Sequence, residues 1–257
     1  MNLNEKLSQQ EHDYYTRQLM LKDFGVESQI KLKESSILLI GVGGVGSPVA
    51  TYLAGLGIGS LTIVDNDVVS FSNLHRQVLF DIDSIGESKA TIAKNKLEKL
   101  NPYIHINTIT DRLTLENSSE LNIREFDLII DTSDNFETKV LLNKLSIANK
   151  VTLLSGGVQG LNFQAGIFNI NNHAACLNCL YPKMNQLTNS QKVGVLGVTA
   201  GLEGMMLVNI ASNFLLNRDN FLDSTLYTYD LRNIELKKYT LSKNIDCNVC
   251  FSNTLLN

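Results

Sequence analysis

Two groups of residues in this sequence have the types and spacing to do chemistry. The first is the run Ile37–Gly46, I-L-L-I-G-V-G-G-V-G, in which Gly41, Gly43 and Gly46 fit G-x-G-x-x-G. An apolar run entering glycines and then a helical pattern over Ser47–Leu56 reads as a buried strand, a tight turn and a helix N-terminus. There, backbone amides approach phosphate at the positive end of the helix dipole. Leu61–Val64, about twenty residues on, ends in Asp65, and a carboxylate at the end of a second strand is where a nucleotide ribose is gripped. These features specify a nucleotide without deciding among NAD, FAD and ATP. The second group is the cysteines, all 4 of which lie in two C-x-x-C pairs, Cys176/Cys179 and Cys247/Cys250. Two such pairs supply four thiolates for a tetrahedral structural zinc that would tie a late loop to the C-terminal end of the chain. The alternatives are a redox pair or two disulfides; neither pair precedes a helix of thioredoxin type, and a reducing compartment disfavours disulfides.

The residues after Asp65 narrow the choice of nucleotide. One polar loop, Asn66–Asp83, carries Asp67 and Ser72-Asn73-Leu74-His75-Arg76-Gln77, and Lys89 comes soon after, near a helix start. Two fixed cations close to a glycine turn suit a triphosphate, whose charge grows at the point of nucleotidyl transfer. Asp134, just after another apolar run, is placed to hold Mg²⁺, which takes one or two carboxylates together with phosphate oxygens. No histidine presents itself as a base for hydride transfer.

These residues need a scaffold, and the hydrophobic pattern supplies one. Tyr14–Leu21 and Ser28–Leu32 have helical spacing. Strands are expected at Ile37–Ile40, Leu61–Val64, Ile104–Ile109, Phe126–Ile130 and Val151–Leu154, with helices at Ser47–Leu56, Ser88–Leu100 and Phe136–Asn149 between them. This alternation predicts a doubly wound, Rossmann-like α/β fold with a mostly parallel sheet, its sites at the carboxyl ends of the strands. Beyond Gly157 the pattern predicts an antiparallel extension (Phe163–Asn169, Leu226–Tyr229, Glu235–Leu241) and an apolar helix over Thr199–Leu216. The divisions are an N-terminal helical segment (1–33), a nucleotide-binding half (34–157) and a third part (158–257), expected to form one continuous unit.

Composition agrees with an ordinary soluble globular protein: 257 residues, 44% hydrophobic and 19% charged. A net charge of −4 argues against a nucleic-acid partner. No uninterrupted apolar run approaches a membrane span, and the first thirty or so residues are polar and periodic rather than signal-like, so a cytoplasmic location is expected.

Taken in order, Tyr15-Thr16-Arg17-Gln18, the glycine turn at 41–46, Asp65-Asn66-Asp67, Ser72–Gln77, Gly86-Glu87-Ser88-Lys89, Asn101-Pro102, Ser133-Asp134-Asn135 and both cysteine pairs give a sequence that resembles the ThiF/MoeB group of adenylyltransferases, relatives of the ubiquitin-activating enzymes. The resemblance runs from Tyr15 to Cys250. It implies ATP-dependent adenylation of the C-terminal glycine of a small ubiquitin-like sulfur carrier ending in Gly-Gly, in molybdopterin or thiamine biosynthesis. It also implies roles: Gly41, Gly43 and Gly44 against the nucleotide, Asp65 on its ribose, Asn73, Arg76 and Lys89 on the phosphates, and Asp134 on Mg²⁺ with Asn135 beside it. Arg17 would reach across a homodimer into the other subunit's site, and the carrier's tail would run under a crossover at Pro182–Gly194, making 158–257 the carrier-binding and zinc half.

Two departures stand out. Lys139 occupies the position of a family arginine, keeping the charge without the bidentate fork, and Tyr14 replaces the first arginine of the motif around Arg17. Where relatives that form a covalent acyl link carry a crossover cysteine, the matching stretch is Asn189-Ser190, so no covalent thiol intermediate is expected. Adenylation of a peptide or another small carboxylate is the nearest alternative. An NAD-binding oxidoreductase and a non-catalytic docking subunit are alternatives of other classes, the latter disfavoured because Arg17, Arg76, Lys89 and Asp134 are all present.

Overall fold

The apolar runs of the sequence become the strands of one eight-stranded sheet in the order β3-β2-β1-β4-β5-β6-β7-β8. The computed structural model describes residues 6–184, 194–217, 221 and 223–251. Along the chain come α1 (Gln9–Tyr14), α2 (Thr16–Leu19), α3 (Gly25–Lys33), β1 (Ser36–Ile40), α4 (Gly46–Leu56), β2 (Ser60–Val64), α5 (Lys89–Leu100), β3 (His105–Ile109), α6 (Leu115–Ser118), β4 (Leu128–Asp131), α7 (Phe136–Asn149) and β5 (Thr152–Gln159). After them come β6 (Asn162–Phe168), α8 (Leu177–Leu180), α9 (Gly197–Leu216), β7 (Ser224–Asp230) and β8 (Glu235–Leu241). β3 to β5 are parallel and β5 to β8 antiparallel. The expected parallel half and antiparallel extension are therefore both present, joined through β5.

β1 has apolar residues at every position from Ile37 to Ile40 because both faces of the sheet are covered. Ile37 and Leu39 pack on one side with Val49 and Leu53 of α4 and Leu207, Ala211 and Phe214 of α9. Leu38 and Ile40 pack on the other with Leu142 and Leu145 of α7 and Leu153 of β5. The two-residue alternation of strand side chains produces this division.

Register then brings the functional loops together. Ile40 pairs with Val64 on one side and with Asp131 on the other, and Asp131 with Ser155. The loops that start at residues 41, 65 and 132 consequently leave the sheet side by side, next to Gly156 within β5. β1 and β4 are adjacent while their chain connections diverge, so the glycine turn lies at the topological switch point where α/β sheets bind ligands.

Three local expectations change. The helix expected over Tyr14–Leu21 starts earlier, because Ser8 and Glu11 form a capping box, and it is interrupted at Tyr15. β5 runs beyond Leu154 through Gly156 and Gly157, since antiparallel pairing with β6 holds a segment whose glycines have little strand preference of their own. α9 is also long and apolar enough to cross a membrane by length and composition. The sequence showed no such run because Thr199, Glu203 and Asn209 interrupt it. Its packing against α4, β5, β6 and α3 accounts for the apolarity without a bilayer.

Candidate active site

The glycine turn is built from close backbone approaches. Gly41 adopts φ +88°, a left-handed conformation that favours glycine. A Cβ on Gly46 would overlap the Gly41 carbonyl, so the entry into α4 is open only to glycine. Ser47 donates its Oγ–H to the Val42 carbonyl at 2.9 Å, and Thr132 Oγ1 donates to the Gly41 carbonyl at 2.8 Å, pinning the turn to α4 and to the loop after β4. At the start of α4 the Ser47 N–H donates to the Gly43 carbonyl at 2.9 Å, which closes the turn onto the helix.

Asp65 supports the turn from the side. Its Oδ2 accepts the Val42 N–H at 2.7 Å and its Oδ1 the Asp67 N–H at 2.9 Å. Burial raises its pKa above the usual carboxylate value, against the lowering effect of these two amides and of nearby Lys89. Lys89, the first residue of α5 after the Ser88 cap, has a side chain only 5% exposed and bridges to Asp67 Oδ2 at 2.8 Å, while Asp67 itself is 65% exposed. Asp67 of the polar loop thus holds Lys89 through one oxygen.

Arg76 is held by its own loop. Its guanidinium donates to Asn73 Oδ1 at 2.8 Å and to the Ser72 carbonyl at 3.2 Å, and meets His75 Nε2 at 3.0 Å. A Cβ on Gly44 would fall 3.3 Å from Arg76 Cγ, so the arginine lies directly over the turn. Gln77 is buried beneath it; its Nε2 lies 3.6 Å from where a Gly43 Cβ would be, and its Oε1 has no hydrogen-bond partner. Leu74 is half-buried and packs against the core. Asp134 is exposed in the loop after β4, whereas Asn135 uses its Oδ1 to cap α7 through the Thr138 N–H at 2.9 Å. Asn135, expected to face the cofactor, is committed to that cap through its oxygen.

Arg17 is not brought in. Its neighbour Gln18 donates to the Leu56 carbonyl at 3.1 Å, at the far end of α4, and Tyr15 is fixed there by Asn101 Nδ2 at 2.8 Å. Burial pushes the Tyr15 phenol up to about 12, so it stays neutral in this contact. The 11 residues of α4 separate that end from the glycine turn by about 16 Å, more than an arginine side chain spans. Arg17 is exposed and makes no ion pair with any described residue.

Extent of similarity decides the family. A model of the ThiF family matches residues 15–249. The chain belongs to the ThiF family. It is 34% identical to a sulfur carrier protein adenylyltransferase of Thermus thermophilus, over 95% of this chain and 92% of that one. It is 36% identical to the adenylyltransferase and sulfurtransferase MOCS3 of Drosophila grimshawi, over 98% of this chain, and spans 57% of that longer protein. The fold is shared with E. coli MccB crystallised with ATP, at TM-score 0.82 and 22% identity over 96% of this chain and 76% of that one.

In this ThiF-family chain the four cysteine sulfurs lie within 4.8 Å of one another, with separations of 3.8 Å (Cys176–Cys179), 3.7 Å (Cys176–Cys247) and 3.5 Å (Cys179–Cys250). Tetrahedral zinc with Zn–S bonds of about 2.3 Å requires sulfurs about 3.8 Å apart. All four are free thiols. Burial opposes ionisation of Cys247, but the Cys250 amide, Asn178 Nδ2 and the Val249 amide bring it down to about 6; burial pushes Cys250 up to about 12. The donor set fits one structural zinc and excludes two separate knuckles.

Lys139, at the position of the family arginine, is engaged within the fold. Its Nζ is bound to Asp131 Oδ2 at 2.9 Å and to the Gly156 carbonyl at 2.7 Å, and its side chain is 12% exposed. It is an internal ion-pair partner in this structure. Asp131, fully buried, also accepts from Ser133 and Ser155. Sequence reading missed the side chain above this group, Glu203 of α9, which is 1% exposed. A lone acid in an otherwise apolar helix was its only signal. The crossover residues Asn189 and Ser190 lie outside the described residues.

Proposed function

We propose that this protein uses ATP to adenylate the C-terminal glycine of a small ubiquitin-like sulfur carrier, releasing pyrophosphate, as a homodimer in the cytoplasm. The observation that carries the reading is the placement of Arg76 and Lys89 beside a glycine turn at the switch point, in a chain aligned almost end to end with a sulfur carrier protein adenylyltransferase. A hydride-transfer site needs no such pair of fixed cations.

In this mechanism a carboxylate oxygen of the carrier forms a bond to the α-phosphorus in line with the bond to the bridging oxygen that breaks. The nucleophile is already charged, so no general base is needed. The protein aligns two anions and neutralises their repulsion. The turn amides hold the phosphates, Asp65 holds the ribose, and Arg76 and Lys89 take up charge on the departing pyrophosphate. Mg²⁺ would be held by exposed Asp134 and supply further charge neutralisation. The thiolates of Cys176, Cys179, Cys247 and Cys250 would hold zinc. With all four so engaged no cysteine is left for an acyl link, which supports a reaction that stops at the acyl-adenylate.

ATP–pyrophosphate exchange tests the reading: a carrier ending in Gly-Gly stimulates exchange, and the same carrier lacking its last glycine does not. Exchange driven equally by a short peptide, or NAD retained without ATP turnover, would replace it with one of the alternatives.

The position of Arg17 supports action in trans. Met20, Leu21, Phe71, Val78 and Ile82 are well exposed and give a second copy apolar surface to cover. Mixing Arg17→Ala and Lys89→Met proteins, each inactive alone, is expected to restore about one quarter of wild-type exchange, since half the dimers are mixed and each has one complete site. No recovery in a mixture shown to exchange subunits would remove Arg17 from the partner's site.

A further inference from the structure

Among the described residues, the buried side-chain atoms that lack a hydrogen-bond partner are Gln77 Oε1, Thr199 Oγ1 and both carboxyl oxygens of Glu203. Buried polar groups are paired in native proteins with few exceptions, and a carboxyl with neither oxygen in a hydrogen bond of ordinary geometry is a costly one, the Gly157 amide reaching Glu203 only loosely. Thr199 and Glu203 stand one turn apart on α9. The turns that contain them cover the site: Ala200 Cβ lies 3.4 Å from where a Gly44 Cβ would be, and a Cβ on Gly197 would crowd the His75 carbonyl.

Glu203 lies against Gly156. A Cβ there would overlap Glu203 Oε1, so the close approach of α9 to β5 exists only because residue 156 is glycine. The carbonyl of that same glycine is held by Lys139, whose other partner is Asp131. Lys139 is hydrogen-bonded to Asp131 and not to Glu203, which senses its charge across the Gly156 backbone. Two carboxylates around a single lysine would leave a net negative charge in a dry environment, whereas one carboxylate and one carboxylic acid leave none.

We propose that Glu203 is a positioning residue of the adenylating site, acting as a neutral carboxylic acid that leaves Lys139 committed to Asp131 and to the Gly156 carbonyl, so that the end of β5 keeps the shape on which the carrier's tail is laid. The inference rests on the adenylation reading and deepens it. Ionised, Glu203 competes with Asp131 for Lys139, the Gly156 carbonyl loses its donor, and the segment Gly156–Val158 beside the turn loosens. Lys139 of α7 and the Gly157 amide of β5 favour the charged form of Glu203, and Asp131 of β4 opposes it. β5 and β6 carry no titratable side chain, α4 carries only the half-exposed Tyr52, and α3 carries Glu27, Lys31 and Lys33, of which Lys31 reaches the far end of α9 at the Leu216 carbonyl. Burial pushes the Glu203 carboxyl up to about 8, against the pull of Lys139.

The unfolded carboxyl loses its proton near 4.5 and the folded one near 8, so the folded state binds the extra proton in between. Stability contributed by this group therefore falls as pH rises through that window and levels off above it.

The test compares wild type with Glu203→Gln, which keeps the size and neutrality of the acid. Two readouts do not require turnover: the urea midpoint from pH 5 to 9, and amide exchange of Gly156, Gly157 and Val158 measured against its intrinsic pH dependence. Wild type should lose stability with rising pH, and above about pH 8 the exchange of its β5 amides should rise more steeply with pH than the intrinsic rate does. Glu203→Gln should show neither change. With a Gly-Gly carrier, wild-type exchange activity should fall above pH 8 by up to about tenfold per unit through the carrier's KM, with the ATP KM within about twofold, and the variant should lack that limb. Identical pH profiles for the two proteins in the urea and amide experiments would overturn the proposal. If no carrier stimulates exchange while those profiles differ as expected, the adenylation reading fails and the Glu203–Lys139 coupling stands. Should the variant not fold, absence of any β5 exchange transition in wild type near pH 8 is itself overturning.

Discussion

Lys89→Met is expected to lower carrier-dependent ATP–pyrophosphate exchange by roughly 10²–10³-fold, the range found when one preorganised electrostatic donor is removed. The folded state should be almost unaffected. The lysine stem is buried at the start of α5, where methionine fills the same space, and its partner Asp67 is well exposed and returns to water when the ammonium is gone. Truncating internal ion pairs is damaging when a buried charge is stranded; here Asp65 loses a nearby cation but keeps the Val42 and Asp67 amides. Lys89→Arg should recover only part of the activity, because the ammonium reaches its site along a buried path that a planar guanidinium does not fit. Exchange kinetics, with the thermal midpoint as a control on folding, check both statements. Near-normal exchange in Lys89→Met would take Lys89 out of the phosphate site.

The second large effect is expected at the cysteine cluster. Cys247→Ser should release zinc, detected by metal analysis of the purified protein, and destabilise the chain by at least a few of the roughly 10–16 kcal/mol that structural zinc contributes in small domains. Cys247 is the anchor in this account because it is buried and its thiolate is favoured by Asn178 and by two amides of its own turn. The cluster joins α8, next to α7, to the chain after β8. Its loss should loosen the C-terminal end and that part of the antiparallel half first. ATP binding, which on the proposed reading takes place at the ends of β1, β2 and β4, should persist until global unfolding. A variant that keeps both its metal and its thermal midpoint would show that the four sulfurs do not form one site.

Much of this architecture was legible because the determining signals are local. Four consecutive apolar residues in Ile37–Ile40 announce a strand covered on both faces, and glycine at 41 and 46 announces a turn that no other residue can make. The four cysteines announce their chemistry by type and spacing. Periodicity placed β1 to β4 within a residue or two and the start of β5 within one. It erred where non-local pairing or packing decided the outcome: β5 continues through two glycines because β6 holds it, and α9 is apolar because it is covered by α4 and the sheet.

The roles of individual charged residues were the less legible part. Sequence alone determined that a nucleotide turn, two nearby cations, an acidic loop and a four-thiolate set share this chain, since each depends on residue type at short spacing. Only the tertiary structure decided that Asp67 holds Lys89, that Asn135 caps a helix, that Lys139 is spent on Asp131 and Gly156, and that Arg17 lies at the wrong end of α4 for its own site. Those outcomes depend on which groups far apart in sequence become neighbours, and on how little water remains around them. Glu203 is the clearest case: its charge reads as polar in the sequence, and only burial against Gly156 and Lys139 makes the neutral acid its stable form.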